Sequence, residues 1–172
     1  RLLAEQYQVR VLARGIRNLH SCFYQPGVEL VSGDVKNAEH LARAMAGVQL
    51  VVNLAHGGGG ANFEEIRKAM VESAVAVCDA AIVAKVQRLV HVGSISSLFL
   101  GDANDVVTGS TPADSKSTER NDYSRAKALA DQAVVDVCGK HSLDLVILRP
   151  GLVVGEGTSP FHGGLGFFNN EQ

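Results

Sequence analysis

The chain has 172 residues, of which 46% are hydrophobic and 20% charged, an ordinary composition for a soluble protein, and we assign residues 1–172 to one domain. A formal net charge of −2, with lysine and arginine scattered along the chain, excludes a basic nucleic-acid-binding surface and a polybasic membrane patch. The three cysteines are far apart in sequence, so we predict no disulfide, which fits a reducing cytoplasm. The six histidines have no ligand spacing, so we predict no metal site. No apolar run of about 18 residues occurs, so we predict no membrane span.

Short β-rich runs alternate with helical patterns along the chain. Five runs predict strands, at residues 9–13, 28–32, 48–55, 88–94 and 143–149. Three alanine-rich segments with helical periodicity lie among them, at residues 38–47, about 63–84 and 123–138. Strands too apolar to have a solvated face, separated by helices, are typical of a parallel sheet covered on both sides. We therefore predict a doubly wound, Rossmann-like α/β fold with three layers, α/β/α.

The two ends of the chain do not complete this pattern. Residues 1–7 read as the end of a helix that enters the first predicted strand, with no strand before it. Residues 161–172 follow the last strand without a helical pattern. A sheet that lacks its first strand has an unpaired position, so we expect a partial domain with the first strand missing.

The glycine run HGGGGAN, residues 56–62, follows a predicted strand and precedes a predicted helix, as phosphate-binding turns do. Its spacing does not match G-x-G-x-x-G, because Asn62 or Phe63 stands where the third glycine is needed. Asp79 follows at a suitable separation for a ribose-binding acid but lies within a predicted helix. Two interpretations stay open: a flexible loop, and a backbone segment that lines a ligand crevice.

The segment NDYSRAKALAD, residues 121–131, places Tyr123 and Lys127 one turn apart on one side of a helix that Asp122 can cap. A tyrosine hydroxyl is a poor acid or base at neutral pH, but a lysine ammonium close to it favours the phenolate. The pair would then serve as a catalytic acid or base. The spacing alone leaves the alternative of a partly buried tyrosine beside a surface lysine.

Six local patterns follow one another in a fixed order along the chain. They are LARGIRN after the first predicted strand, the Gly33-Asp34-Val35 and Asn53-Leu54-Ala55 tripeptides, VHVGS ending at Ser94, the Tyr123 and Lys127 pair, and RPGLVVG at residues 149–155. In this order the chain resembles the extended short-chain dehydrogenase/reductase family, the NAD(P)-dependent epimerases, dehydratases and reductases. The resemblance covers nearly the whole chain.

The resemblance implies a catalytic trio of Ser94, Tyr123 and Lys127. Tyr123 would pass a proton to or from a substrate carbonyl or hydroxyl, Lys127 would hold the nicotinamide ribose, and Ser94 would hydrogen-bond the developing oxyanion. Ser96 and Ser97 are alternatives for the serine role. The resemblance also implies a cofactor site, formed by Arg14, Asp34, Val35, Asn53, Leu54, Ala55, Lys127 and Pro150.

The sequence also departs from the family pattern. The G-x-x-G-x-x-G turn that places a pyrophosphate at a helix amino terminus does not occur, and LFLG stands where the family has V-Y-G. Arg14 ends the first predicted strand, Arg17 follows, and no acidic residue stands there. Because an arginine there can pair with a 2′-phosphate, we predict a preference for NADP over NAD. Two solvated arginines are the alternative.

We therefore expect an NAD(P)-dependent oxidoreductase or epimerase/dehydratase that acts on a hydroxyl or ketone of a small molecule, such as a nucleotide sugar, a steroid or a flavonoid-like alcohol. The alternative is a non-catalytic dinucleotide-sensing or assembly subunit, which the fold alone does not exclude. The presence of serine, tyrosine and lysine together favours the enzyme, since a sensor needs no proton donor. The expected partner is a small-molecule substrate, not nucleic acid or membrane, with a homodimer left open.

Overall fold

The computed structural model describes residues 2–55, 60–98, 106–153 and 155. Within them lie five strands and three α-helices, each end within two residues of its predicted position: β1 Val9–Ala13, β2 Val28–Ser32, α1 Ala38–Met45, β3 Leu50–Asn53, α2 Phe63–Val83, β4 Arg88–Val92, α3 Asp122–Lys140 and β5 Asp144–Leu148. None of the helices in this described part is both long and apolar enough to span a membrane.

The strands pair in parallel throughout the described residues. β1 pairs with β2, and β3, β4 and β5 form a second sheet in that order. Leu12 of β1 and Leu145 of β5 pack against the same hydrophobic core, so the two sheets share one interior. The predicted α/β class with parallel strands is confirmed.

The core lies between the sheet strands and all three α-helices. Leu89 of the central strand β4 is fully buried in it, together with these helical residues: Leu41, Met45, Met70, Ala74, Val77, Cys78, Ala81, Ala126, Ala130, Val134 and Cys138. The side chains that alternate with the buried ones on β3 and β5 are exposed, namely Leu50, Val52, Val146 and Leu148. Since successive side chains of a strand point to opposite faces, the described helices cover one face of the three-stranded sheet.

The start of α3 differs in one detail from the sequence prediction. Asn121, not Asp122, is the N-cap, because its side chain accepts a hydrogen bond from the backbone N–H of Ser124 at 2.9 Å. The extended backbone of Asn121 lets the side chain reach back to the first turn, whereas Asp122 already has helical geometry. Asp122 instead places a negative charge in the first turn, which favours this helix end electrostatically.

The amino-terminal segment and the glycine run also bear on the predictions. Residues 2–6 form turns, with Gln6 at φ 63°, rather than the predicted end of a helix. Residues 56–59 of the glycine run lie outside the described residues. The described end of the run caps α2, because the side chain of Asn62 accepts a hydrogen bond from the N–H of Glu65 at 3.0 Å. Asp79 lies within α2, as predicted.

Cys78 of α2 and Cys138 of α3 meet inside the core. Both are buried free thiols, with a sulfur–sulfur distance of 3.8 Å. Burial raises the pKa of the Cys78 thiol and that of Cys138, so both favour the neutral form. The pair therefore packs as two small apolar groups between the helices.

Candidate active site

Three of the predicted site residues, Asn53, Ser94 and Pro150, lie where β3, β4 and β5 end. Asn53 at the end of β3 is in register with His91 of β4, and Val92 at the end of β4 is in register with Leu148 of β5. The carboxyl ends of these three parallel strands therefore share one edge of the sheet, the place where open α/β folds bind ligands.

Backbone hydrogen bonds join the turn after β4 to the end of β5. The N–H of Gly93 donates to the carbonyl of Leu148 at 2.8 Å, and the N–H of Ile95 donates to the carbonyl of Pro150 at 3.0 Å. Ser94, predicted to be catalytic, lies between these two contacts. The structure thus brings Ser94 next to Pro150, which was predicted to contact the cofactor.

Ser94 caps the short 3-10 helix Ile95–Ser97. Its Oγ accepts a hydrogen bond from the backbone N–H of Ser96 at 3.1 Å and lies 3.0 Å from the hydroxyl oxygen of Ser96. Ser97, the other alternative for the serine role, is fully buried and its hydroxyl lies 2.7 Å from the carboxylate of Asp131. Ser94 and Ser96 are only partly buried, so their hydroxyls are the more accessible ones.

Tyr123 and Lys127 lie one turn apart on α3, in contrasting surroundings. Tyr123 is 47% exposed, whereas Lys127 is 7% exposed. The ammonium nitrogen of Lys127 lies 5.9 Å from the centroid of the Tyr123 ring. The structure thus places a buried ammonium beside a half-exposed tyrosine ring.

The ammonium of Lys127 has a second electrostatic neighbour. Burial lowers the pKa of Lys127 below its ordinary value, and the negative charge of Asp131 opposes this effect. Asp131 lies one turn further along α3, on the same buried side. Tyr123, Lys127 and Asp131 therefore follow one another at intervals of one turn along α3, from the half-exposed tyrosine to the fully buried aspartate.

A cluster of five polar residues lies beneath the predicted site, and we call it the Asp131 cluster. Asp131 is fully buried and accepts hydrogen bonds at Oδ2 from the hydroxyl of Ser97 at 2.7 Å and from Nε of Arg149 at 2.8 Å. Arg149 also donates to the carbonyl of Thr111 at 3.2 Å, which attaches the segment before α3 to the end of β5. The cluster consists of Asn53, His91, Ser97, Asp131 and Arg149.

His91 and Asn53 complete this cluster on the adjacent strands. The Nδ2 atom of Asn53 lies 3.3 Å from Nδ1 of His91, and Oδ1 of Asn53 accepts a hydrogen bond from the N–H of Ala55 at 3.1 Å. Burial lowers the pKa of His91, while the charge of Asp131 opposes that effect, and Lys127 and Arg149 add to it. His91 is therefore held neutral inside the protein.

The cofactor residues predicted near β1 and β2 lie at the ends of those strands. Arg14 is exposed directly after β1. The N–H of Asp34 donates to Nδ1 of His40 at 3.0 Å, and the Asp34 carboxylate accepts from the N–H of Lys36 at 2.9 Å. Val35 packs against the core. The Asp34 carboxylate thus has one oxygen engaged in a local turn.

Close packing explains why the residue before Asp34 is a glycine, Gly33. A Cβ at Gly33 would lie 2.8 Å from Cβ of His40 and 2.8 Å from Cδ1 of Leu12, closer than carbon atoms approach. The Gly-Asp pattern therefore reflects close contact between the end of β2 and the start of α1.

The cofactor residues predicted after β3 are divided between surface and interior. Leu54 is 71% exposed, whereas Asn53 is 5% exposed and uses its side chain on Ala55 and His91. A buried Asn53 side chain positions the backbone of this segment. Leu54 and Ala55 directly follow β3 at the carboxyl edge of the sheet, and their role as a cofactor segment stays a prediction.

Sequence reasoning did not find the Asp131 cluster. His91 was counted only among the six histidines without ligand spacing, and Arg149 was used only as part of a motif. One signal was available: an aspartate four residues after Lys127, at a position where helical periodicity requires an apolar side chain. No group of three or more metal-binding side chains occurs among the residues that the structure describes.

Comparison with protein families decides the membership of this chain. A family model described as NAD(P)H-binding matches residues 1–163. The chain belongs to the NAD(P)H-binding family. The matched residues are therefore a nicotinamide dinucleotide-binding domain. The family resemblance that we drew from the motifs is confirmed at this level.

Two curated proteins are similar to this NAD(P)H-binding chain. The 2-alkyl-3-oxoalkanoate reductase of Shewanella oneidensis is 31% identical over 162 residues, which are 90% of this chain and 41% of that protein. The 3beta-hydroxysteroid-dehydrogenase/decarboxylase isoform 2 of Arabidopsis thaliana is 23% identical over 131 residues, which are 76% of this chain and 23% of that protein. The chain thus spans less than half the length of either relative.

Two solved structures show the same fold. Vestitone reductase from alfalfa, Medicago sativa, is 25% identical with a TM-score of 0.70, and the match covers 86% of this chain and 50% of that one. The dTDP-glucose 4,6-dehydratase from Streptomyces venezuelae, solved with NAD bound, is 26% identical with a TM-score of 0.69, covering 86% and 49%. The predicted Rossmann-like fold is therefore confirmed.

Proposed function

We propose that this chain is the dinucleotide-binding and proton-transferring part of an NAD(P)-dependent oxidoreductase or epimerase/dehydratase. The observation that carries the proposal is the Tyr123 and Lys127 pair, with a buried ammonium 5.9 Å from the ring of a half-exposed tyrosine. The pair is carried by the helix that packs against the Ser94 turn, at the ligand-binding edge of the sheet. A dinucleotide-sensing subunit has no need of this arrangement.

Each residue of the proposed trio has one task. The hydroxyl of Tyr123 gives a proton to a substrate carbonyl oxygen in the reductive direction and removes it in the oxidative one. Lys127 stabilises the phenolate that remains and reaches the nicotinamide ribose. The hydroxyl of Ser94 donates to the same substrate oxygen as negative charge develops on it. The nicotinamide, when bound, supplies or accepts the hydride.

We propose a small-molecule ketone, or the corresponding alcohol, as the substrate. Two of the similar proteins are reductases by name, of a 2-alkyl-3-oxoalkanoate and of vestitone, and the steroid relative is a dehydrogenase of a 3β-hydroxyl group. Their substrates share one secondary alcohol or ketone, which is the group that a tyrosine acid serves. A nucleotide sugar remains within the proposal because of the similar dTDP-glucose dehydratase.

We further propose NADP as the preferred cofactor, with Arg14 as the residue that selects it. Arg14 is exposed at the end of β1, where its guanidinium is free to meet a 2′-phosphate. Asp34, Val35, Leu54, Ala55 and Pro150 would line the remainder of the dinucleotide. Because the sequence holds no disulfide framework, we also propose a reducing compartment such as the cytoplasm, and a homodimer is the proposed assembly to test.

The proposal is tested on the complete gene product that contains this chain. Binding of NADPH and NADH is measured by titration, and cofactor oxidation is followed with a 2-alkyl-3-oxoalkanoate, vestitone and a 3-oxosteroid. A nucleotide sugar is followed by product analysis, because epimerisation and dehydration return the cofactor to its starting state. We expect dinucleotide binding and turnover of at least one probe. Binding with no turnover of any probe would favour the sensing subunit, and no binding would overturn the proposal.

A further inference from the structure

The strongest unexplained feature of the molecule is the carboxylate of Asp131. It is fully buried on the apolar side of α3, among residues of the hydrophobic core. Among the described residues, only its Oδ2 atom is hydrogen-bonded, to Ser97 and to Arg149. Ser97 has a single hydroxyl proton, and its Oγ also lies 2.8 Å from the carbonyl of Ser94. The charged carboxylate is the stronger acceptor and receives that proton.

The other oxygen, Oδ1, is buried without a hydrogen-bond partner among the described residues. It lies 3.7 Å from Nε2 of His91, which is also buried and unpartnered there. Gly93 provides the space for this oxygen, because a Cβ at that position would lie 2.6 Å from Oδ1. An unpaired oxygen on a buried charge is unfavourable for folding, so simple packing does not explain its presence.

The direction of the hydrogen bonds fixes the form of His91. Because Oδ1 of Asn53 accepts from Ala55, the amide nitrogen of Asn53 faces His91 and can only donate. Nδ1 of His91 therefore accepts, and the proton of the neutral imidazole lies on Nε2, toward Asp131. A line of polar groups thus runs from the backbone after β3, through Asn53 and His91, toward the carboxylate on α3, with 3.7 Å between Nε2 of His91 and Oδ1 of Asp131.

Three segments of the proposed site meet at this carboxylate: the turn after β3 through His91, the Ser94 turn through Ser97, and the end of β5 through Arg149. The same helix carries Tyr123 and Lys127. We propose that Asp131 is a positioning residue, which holds the Ser94 turn against α3 and supplies the negative charge that keeps the ammonium of Lys127 in place. This inference rests on the proposed function and deepens it, because it assigns the group that aligns the trio.

The charges of the neighbouring groups support this role of Asp131. Tyr123 lies beside Lys127, the charge of Asp131 acts on Lys127, and Asp131, Lys127 and Arg149 all act on His91 of β4. His91 is neutral, so Asp131 is the single anion among these named groups, opposite two cations. Its removal leaves Lys127 and Arg149 unopposed, and the ammonium of Lys127 then loses its proton at a lower pH.

The test compares Asp131→Asn with Asp136→Asn in the complete gene product. Both substitutions remove one carboxylate charge from α3, but Asp136 is exposed on the other side of the helix. We expect Asp131→Asn to bind NADPH within about 3-fold of the parent, to lose at least about 10-fold in kcat on the ketone that the parent reduces, and to change KM less. The alkaline limb of its pH profile should move to lower pH, whereas Asp136→Asn should match the parent.

Ser97→Ala is the second variant, because it removes one hydroxyl without altering the charge and is the milder test of folding. We expect it to lose several-fold in kcat with unchanged NADPH affinity. A parent that binds no dinucleotide would overturn both the proposed function and this inference. A parent that turns over, with Asp131→Asn equal to Asp136→Asn in kcat and pH profile, would overturn this inference alone. This inference alone is also overturned if Asp131→Asn fails to fold and Ser97→Ala has the same kcat as the parent. It is overturned as well if the loss of turnover in a variant is no larger than the loss of folded protein in that variant.

Discussion

The ammonium of Lys127 lies 5.9 Å from the centre of the Tyr123 ring, with the lysine buried and the tyrosine half exposed. The tyrosine is therefore accessible to a ligand, while the ammonium beside it is shielded from water. This contrast leads directly to the first prediction.

Tyr123→Phe should lower turnover of the ketone substrate by about 100-fold or more, because it removes the proton donor and nothing else. The affinity for NADPH and the thermal unfolding temperature should stay close to those of the parent. Tyr7→Phe is the matched control, since Tyr7 is an exposed tyrosine in the turn before β1. Turnover that survives in Tyr123→Phe would assign the proton donor to another group.

Lys127→Met should stabilise the fold and abolish turnover. Burial lowers the pKa of Lys127, so its ammonium is less stable in the folded than in the unfolded chain throughout the pH range below the folded pKa. A methionine of similar length removes that cost, and we expect a gain of about 1 kcal/mol in the free energy of unfolding. Urea unfolding at neutral pH measures it, with the exposed Lys68→Met of α2 as control. A large loss of stability would instead show that the charge pair with Asp131 outweighs desolvation.

Stability should fall in mild acid because of His91. Burial lowers the pKa of His91 below its ordinary value of 6.5, so the unfolded chain binds a proton before the folded one does as the pH decreases. The contribution of His91 is therefore fully present above about pH 6.5 and is lost as the pH falls through the folded pKa. Unfolding free energies should be measured from about pH 7 to about pH 5 for the parent, His91→Gln and the exposed control His141→Gln. If the unfolding free energy changes with pH by the same slope in the parent and in His91→Gln, the loss of stability in mild acid does not come from His91.

Arg14→Asp should reverse the cofactor preference. An aspartate at the end of β1 repels a 2′-phosphate and accepts hydrogen bonds from a ribose hydroxyl, so NADPH affinity should fall and NADH affinity should rise. We expect a change of about 10-fold or more in the ratio of the two dissociation constants. Lys68→Asp makes the same change in net charge on the exposed side of α2 and should leave the ratio unaltered. An unchanged ratio in Arg14→Asp would count against Arg14 as the selecting residue.

The sequence by itself was sufficient to locate the strands and the α-helices. Parallel strands buried by helices are short apolar runs, and such runs placed β1 to β5 within two residues of their observed bounds. The spacing of Tyr123 and Lys127 also follows from local geometry, because residues four apart on a helix lie on one side. The sequence did not predict that Asn121, rather than Asp122, is the N-cap of α3. Asparagine and aspartate have nearly equal capping tendency, and only the backbone geometry shows which of the two adjacent residues is the cap.

Only the tertiary structure brings the residues of the Asp131 cluster together. Asn53 and His91 are separated by 38 residues, and Ser97 and Asp131 by 34, and no local pattern relates such positions. Their contact depends on the order β3, β4, β5 and on a register that sets Asn53 beside His91. It depends equally on a glycine at position 93, which leaves room for a carboxylate. An aspartate within an alanine-rich helix is a surface residue or a buried one according to what packs against it, and that packing exists only after the sheet has formed.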